Sequence, residues 1–267
     1  MKEITDESIY LIKPETTTIP DLGLGDFIKG YSDKDTPYKW TFLLWLLLPI
    51  VGWILVIIYS LLYITRKYIT RRNLKVLIYS KGFYLYEKKF NKEYEEIIKF
   101  DDIIAINCAR TRNYTNSMYS GTSCLISVLD MDRHNKVVFS ATYHNENEEA
   151  GNYNFGGYVV WALMEAWYPV ALERHIHELN QKRYTTFYYL EPRSFRSSIL
   201  KDVQIGTNFI KVAEDYVDGE FTYQINDGWL YIYPPKKSTK KSFRVYLNQM
   251  YDSTIFLVLL KEYWGGE

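Results

Sequence analysis

The most distinctive hydrophobic pattern in the chain is an uncharged, mostly apolar run from Trp40 to Thr65. The hydrocarbon core of a bilayer takes about 20 helical residues to cross, because lipid offers no partner for free backbone N–H and C=O groups. The run exceeds this minimum. The pattern predicts one transmembrane helix over 40–65, and a re-entrant hairpin that turns near Pro49 and Gly52 is the alternative.

Basic residues on either side of this run set the expected orientation, because they accumulate on the cytoplasmic side of a membrane. More of them follow the run than precede it, which predicts a single-pass protein of the cell membrane with cytoplasmic C-terminal domains. Residues 1–39 are polar and lack a sustained periodicity, so they are expected to form a flexible tail. The basic residues that follow are Arg66, Lys67, Arg71, Arg72 and Lys75.

Alternating apolar and polar positions after residue 74 predict antiparallel strands. The segments Ile104–Cys108 and Cys124–Val128 each have one apolar face, so they are expected to pair as a half-buried hairpin. The segment Asn113–Gly121 between them is polar and is expected to be a long loop.

The period of the pattern then changes to that of a helix. Apolar residues recur at intervals of three and four from Val160 to Leu179, and Ile176 belongs to the same apolar face. Pro169 lies within this pattern and either kinks the helix or starts a second one. A first domain of strands closed by a helix is therefore expected over 74–183.

Residues 184–267 repeat this order on a smaller scale. Phe221–Ile225 and Trp229–Tyr233 flank Asn226–Gly228, a strong hairpin signal. Ser253–Tyr263 has helical spacing, with Asp252 or Ser253 as its cap. The predicted fold class is α+β, with an N-terminal transmembrane helix followed by two small antiparallel β-barrel or sandwich units, each closed by a C-terminal helix.

Four stretches and this layout carry a resemblance to a known kind of protein. The stretches are LYEKKF (Leu85–Phe90), IIKFDDIIAI (Ile97–Ile106), NYTNSMYSGT (Asn113–Thr122) and STIFLVLLKEY (Ser253–Tyr263). The chain resembles uncharacterised bacterial single-span membrane proteins with tandem pleckstrin-homology-like (PH-like) domains. The resemblance implies a first PH-like domain over 74–183 and a second, smaller one over 184–267. It assigns no functional residues to this chain.

Composition narrows the function classes. The formal net charge is zero, which gives no electrostatic support for a nucleic-acid partner. Cys108 and Cys124 are expected to be reduced core thiols on neighbouring strands. The spacing of the four histidines and the absence of known catalytic and phosphate-binding motifs leave no catalytic, cofactor-binding or metal-binding residue to assign, so no enzyme activity and no cofactor are expected.

Two basic clusters are the candidate contacts for anionic lipid or for a partner protein. The first adjoins the predicted span, and the second lies on and beside the loop after Tyr233. The first comprises Arg66, Lys67, Arg71 and Arg72, and the second comprises Lys236, Lys237, Lys240, Lys241 and Arg244.

The sequence thus predicts a membrane-anchored, non-catalytic binding or scaffold module that contacts the lipid bilayer and an unknown protein. Two alternatives remain open at this point. One is an enzyme of unrecognised type that acts on lipid or envelope material, and the other is a structural subunit of a membrane complex.

Overall fold

A computed structural model of the chain describes residues 9–11, 19–33, 72–89, 92–143, 155–194, 197–219, 221–234 and 242–264. These residues contain fifteen β-strands and two α-helices. The chain divides into two compact units, residues 1–98 with 147–155 and residues 99–146 with 156–267. All strand pairs whose register is described are antiparallel.

The first unit is built on one five-stranded sheet with the strand order β1-β2-β3-β4-β5. Its strands are β1 (Ile9–Leu11), β2 (Phe27–Asp33), β3 (Arg72–Tyr79), β4 (Gly82–Lys89) and β5 (Lys92–Lys99).

Two described parts of the predicted flexible tail over 1–39 are strands instead, because β1 and β2 lie within it and β2 pairs with β3. Leu24 is buried in a cluster with Leu77 and Tyr79. The hydroxyl of Tyr79 donates to the carbonyl of Pro20 over 3.0 Å, and the amide of Lys81 donates to the carbonyl of Leu24 over 2.9 Å. These contacts come from distant parts of the chain, so the local composition of the segment did not reveal them.

The second unit contains three antiparallel sheets and both helices. The first sheet consists of β6 (Ile103–Thr115), β7 (Met118–Asp130) and β8 (Asn135–Tyr143), and helix α1 (Phe155–Lys182) follows it. The second sheet consists of β9 (Tyr184–Ser194), β10 (Ser197–Gly206), β11 (Phe209–Val212) and β12 (Asp215–Asp218). The third consists of β13 (Thr222–Asn226), β14 (Trp229–Tyr233) and β15 (Phe243–Tyr246), and helix α2 (Ser253–Trp264) closes the unit.

The β6–β7 hairpin forms as predicted, but two details differ. The expected loop over 113–121 is mostly strand, because the turn is only Asn116 and Ser117, both at positive φ. The segment Ile104–Cys108 of β6 is also covered on both faces and is not half-buried. Ala105 packs with Tyr188 and Tyr251, so a second layer covers the face that was expected to meet solvent.

Helix α1 is a single helix that contains Pro169, which excludes one of the two alternatives, a second helix that starts at this proline. The phase of its buried face differs from the prediction at one position. Ile176 is 44% exposed, whereas the neighbouring His175 is only 8% exposed. The helix therefore turns an imidazole toward the core in place of the isoleucine.

The predicted fold class, with its N-terminal transmembrane helix, is contradicted. In the part of the chain that the structure describes, antiparallel sheet predominates and neither helix is long and apolar enough to cross a membrane. Helix α1 carries charged side chains such as Glu165 and Glu173, and α2 has 12 residues, about 18 Å of helix against a hydrocarbon core of about 30 Å. The span predicted over 40–65 lies outside the described residues.

Candidate functional site

The hairpin of β13 and β14 is the local structure on which the candidate site is built. Asn226 pairs with Trp229 across a two-residue turn, and both turn residues, Asp227 and Gly228, have positive φ. This is the geometry that favours Asn, Asp and Gly at such a turn, because it matches the twist of the two strands. The predicted hairpin is confirmed.

The three-stranded sheet of β13, β14 and β15 has one buried face and one outward face. Leu230, Ile232 and Val245 are fully buried on the inner face. Side chains alternate along each strand, so their neighbours in sequence lie on the outer face. We call these outward residues the aromatic face: Thr222, Gln224, Asn226, Trp229, Tyr231, Tyr233, Arg244 and Tyr246.

Aromatic rings and one guanidinium pack against each other on the aromatic face. The rings of Trp229 and Tyr246, which are directly opposite in the register, have centroids 4.9 Å apart. Cζ of Arg244 lies 4.4 Å from the centroid of the Trp229 ring. Tyr231 and Tyr233 stack with 6.4 Å between centroids and 11° between planes. The result is an ordered, largely apolar surface with one cation on it.

Contacts from the turn and from the end of β15 hold Tyr246 in place. A Cβ atom at Gly228 would lie 3.1 Å from Cε2 of Tyr246, so glycine lets the ring lie close to the turn. Nδ2 of Asn248 donates to the hydroxyl of Tyr246 over 3.2 Å. The amide of Leu247 donates to the carbonyl of Gly228 over 2.8 Å. The Tyr246 ring in turn supports Trp229.

Of the basic residues predicted as contacts, Arg244 alone has a described side chain, and it is exposed on the aromatic face. Arg72 begins β3, and nothing is described of its side chain. The others lie outside the described residues: Arg66, Lys67, Arg71, Lys236, Lys237, Lys240 and Lys241. The aromatic partners of Arg244 were predicted as strand residues only, although the Trp-x-Tyr-x-Tyr alternation of β14 signalled a one-sided aromatic surface.

A buried polar network is the second feature of the unit. Oδ1 of Asp252 accepts hydrogen bonds from Nε1 of Trp167 (2.6 Å) and from the amide of Ile106 (3.4 Å). Oδ2 of Asp252 lies 3.7 Å from Nε2 of His175. Asp252, one of the two residues expected as the cap of α2, therefore turns its carboxyl into the core instead. Its backbone has φ 52°, which aspartate tolerates better than most residues.

The network continues from His175 through Thr185 to Glu178. Oγ1 of Thr185 donates to Oε2 of Glu178 over 2.7 Å and lies 2.7 Å from Nδ1 of His175. Because the single hydroxyl hydrogen points to Glu178, Nδ1 of His175 carries the hydrogen shared with Thr185. The His175 ring also stacks on Phe187 with centroids 4.1 Å apart.

The order Asp252, His175, Thr185 matches the residue types of a nucleophilic triad, but its surroundings favour a structural role. Thr185 is fully buried, and its hydroxyl is already engaged on both sides, so no substrate atom can approach it in this structure. The arrangement joins α1, β9 and the start of α2. The signal for it was the four-residue spacing of Ala171, His175 and Leu179, which places the histidine in the buried stripe of α1.

Cys108 and Cys124 are free thiols, as predicted. Burial raises the pKa of the Cys108 thiol, and the nearby Asp252 and Cys124 raise it further. A cavity of about 30 Å³ lies beside Cys108, Trp167 and Asp252. This is the volume of about one water molecule, so the cavity offers no room for a substrate. The raised pKa also makes the Cys108 thiol a weak nucleophile.

Asp130, Asp132 and His134 could hold a metal ion, since each offers one ligand atom and these atoms lie within 4.8 Å of one another. Oδ1 of Asp130 accepts the amides of Asp132 (2.9 Å) and His134 (2.8 Å). These hydrogen bonds account for the cluster as the turn between β7 and β8, and we assign no metal site to it.

Comparison with known proteins assigns no role to the aromatic face or to the buried polar network, so both are interpreted from their own chemistry. No protein-family model matches the chain, and no curated protein matches it either. The resemblance to tandem PH-like membrane proteins therefore stays a prediction.

Proposed function

We propose that the chain is a non-catalytic binding module whose aromatic face binds an acidic segment of a partner protein. The observation that carries the proposal is the position of Arg244. Its guanidinium lies over the ring of Trp229, on a face whose described outward positions include no aspartate or glutamate.

The residue types of the aromatic face favour protein recognition. Tyr, Trp and Arg are enriched in the central contacts of protein interfaces. Tyr and Trp bury a large area and lose little side-chain entropy. Trp229 and Tyr231 are half-buried and already packed against neighbours on this face. Less conformational freedom is then lost when a partner binds.

The charge of the aromatic face favours an acidic partner. A guanidinium that stacks on an indole keeps its N–H donors around its edge, where a carboxylate accepts two of them at once. Among the described residues, no carboxylate forms an ion pair with Arg244. The sequence adds four lysines between Tyr233 and Phe243, which raises the positive charge of this part of the chain.

The residue types of the aromatic face favour a protein over a lipid surface. The rings lie on one side of the sheet, and the polar side chains of β13, including Gln224 and Asn226, lie beside them. Insertion into a bilayer calls for apolar side chains that enter the boundary between headgroups and acyl chains. A face with amide side chains is better suited to a polypeptide, whose backbone offers matching donors and acceptors.

Selection from a random linear-peptide library on the immobilised full chain tests the proposal. We expect the selected peptides to be rich in Asp and Glu and to lose binding to Trp229→Ala and to Arg244→Glu. Lys261→Glu is the matched charge reversal, because Lys261 is an exposed cation on α2, and it should leave binding intact. Circular dichroism of each variant checks the fold.

Two outcomes would contradict the proposal. One is a set of peptides that bind Arg244→Glu as well as the unchanged chain. The other is binding to phosphatidylserine vesicles that is lost in Arg244→Glu while no peptide is selected, since this would assign the aromatic face to a lipid surface.

A further inference from the structure

We propose that β13 pairs with β13 of a second copy of the chain, so that two copies form one continuous six-stranded sheet. This inference goes beyond the proposed partner binding and does not depend on it. It follows from the backbone of β13, from its residue types and from the register in which it fits itself.

The strand β13 has an open edge in the described structure. Among the described strands it pairs with β14 alone. In a two-residue hairpin the pair next to the turn is hydrogen-bonded, and such pairs alternate along the ladder. Asn226, Gln224 and Thr222 therefore bond to β14, whereas the N–H and C=O groups of Tyr223 and Ile225 point away from it.

Nothing in the sequence of β13 protects this edge. Natural edge strands are commonly blocked by lysine, by proline or by a bulge. The five residues of β13, TYQIN, include no charge and no proline, and the pairing with β14 has no register shift. A row of unpaired backbone groups on a neutral strand is a template for another strand.

The apolar inner face of the sheet extends to this edge and is left uncovered there. Leu230, opposite Ile225 in the register, is fully buried. Ile225 is on the same face yet remains 47% exposed. A strand added beside β13 would extend this layer and cover part of the isoleucine side chain.

A second copy fits the edge because β13 is complementary to itself. An antiparallel pair centred on Gln224 places Tyr223 opposite Ile225 of the second copy, and the reverse pair forms by symmetry. Both residues direct their backbone groups to the open edge, so each pair makes two hydrogen bonds. Aromatic and β-branched side chains that face each other across strands stabilise a sheet, and the neutral strand meets no charge repulsion.

The symmetry axis of such a pair is perpendicular to the sheet, so each face continues from one copy into the next. The two aromatic faces then lie on the same side of the combined sheet. A pair of five-residue strands buries less than the roughly 1,200 Å² typical of stable interfaces. We therefore expect a weak dimer whose population depends on protein concentration.

Sedimentation velocity of the full chain over a concentration series tests this inference. We expect a shift from monomer to dimer as concentration rises, and loss of that shift in Ile225→Pro. Proline removes an edge-facing N–H while the hydrogen bonds to β14 remain. Val258→Glu is the control, because Val258 is a similarly exposed apolar residue on α2, and its shift should equal that of the unchanged chain.

A mixing experiment tests the register. Tyr223→Lys and Ile225→Glu should each lose the dimer alone, whereas a mixture of the two chains should form a heterodimer with the lysine opposite the glutamate. Hydrogen exchange of the unchanged chain adds a measurement without any variant: the amides of Tyr223 and Ile225 should exchange more slowly at high concentration. A chain that stays monomeric at every concentration, or a dimer that Ile225→Pro leaves intact, would overturn the inference.

Discussion

Nε1 of Trp167 donates a 2.6 Å hydrogen bond to Oδ1 of Asp252, and both side chains are buried. The bond joins the middle of α1 to the residue that precedes α2. The backbone of Asp252 makes a further hydrogen bond, in which its amide donates to the carbonyl of Ile106 over 2.9 Å. Asp252 thus links both helices of the second unit to β6.

Asp252→Ala is expected to lower the free energy of unfolding by about 3 kcal/mol, because it leaves a buried indole N–H without an acceptor. Asp252→Asn keeps the Oδ1 acceptor and is expected to cost about 1 kcal/mol. Urea unfolding followed by tryptophan fluorescence measures both. Equal losses for the two variants would contradict the assigned role of the Trp167 bond.

The Glu178 carboxyl is expected to make stability depend on pH. Burial by itself raises the pKa of this carboxyl, but hydrogen bonds from Thr185, Lys182 and the amide of Thr186 outweigh burial and lower it. The Glu178 carboxyl therefore binds its proton less tightly in the folded chain than in the unfolded chain. The contribution of Glu178 is complete above the ordinary pKa of about 4.3 and is lost as pH falls through the lowered value.

Glu178→Gln should therefore flatten the acid side of a plot of unfolding free energy against pH, below about pH 5. The control is Glu173→Gln, which changes an exposed carboxyl on the same helix and should leave that slope in place. Urea midpoints measured at several pH values give the comparison. Parallel curves for the unchanged chain and Glu178→Gln would count against the role given to this carboxyl.

Local signals in the sequence predicted local structure well. The β13–β14 hairpin follows from Asp227 and Gly228, which accept the positive φ of the turn. Helix α2 follows from the spacing of its apolar residues and spans Ser253–Trp264. In both cases the residues that define the element are neighbours in the chain, so the pattern contains most of the information.

Features that depend on distant partners were missed. The strand β2 is stabilised by pairing with β3, from which more than thirty-five residues separate it in sequence. His175 is buried because Thr185 and Asp252 supply polar partners for its ring, and these partners are invisible in the pattern of α1. The membrane span was predicted from the uncharged, apolar run over 40–65, which lies outside the described residues, and no helix of the described residues has the required length and apolar character.

Gly25 offers a test of the turn that precedes β2. It has φ +80°, and a Cβ atom there would collide with Oγ of Ser80, whereas Gly23 has φ +66° and open space around it. Both glycine-to-alanine changes place alanine in the left-handed region at a cost of about 1 kcal/mol. Gly25→Ala is expected to lower the thermal midpoint more than Gly23→Ala, and the reverse order would contradict the packing described around Ser80.

Arg244→Lys tests whether the shape of the guanidinium matters as well as its charge. Lysine keeps the charge but has neither the planar stacking surface nor the paired donors of arginine. We expect the dissociation constant for a selected acidic peptide to rise about tenfold, equivalent to about 1.4 kcal/mol. Fluorescence anisotropy of the labelled peptide measures it, and an unchanged constant would show that charge alone is recognised.

Hydroxyl-radical footprinting with and without a selected acidic peptide shows whether the aromatic face is the surface that the peptide covers. Trp229, Tyr231 and Tyr233 should be labelled in the free chain and protected when the peptide is bound. Trp161, which is 60% exposed on α1, is the internal control and should be labelled equally in both states. Protection at Trp161 with unchanged labelling of Trp229, Tyr231 and Tyr233 would contradict the assignment of the aromatic face as the binding surface.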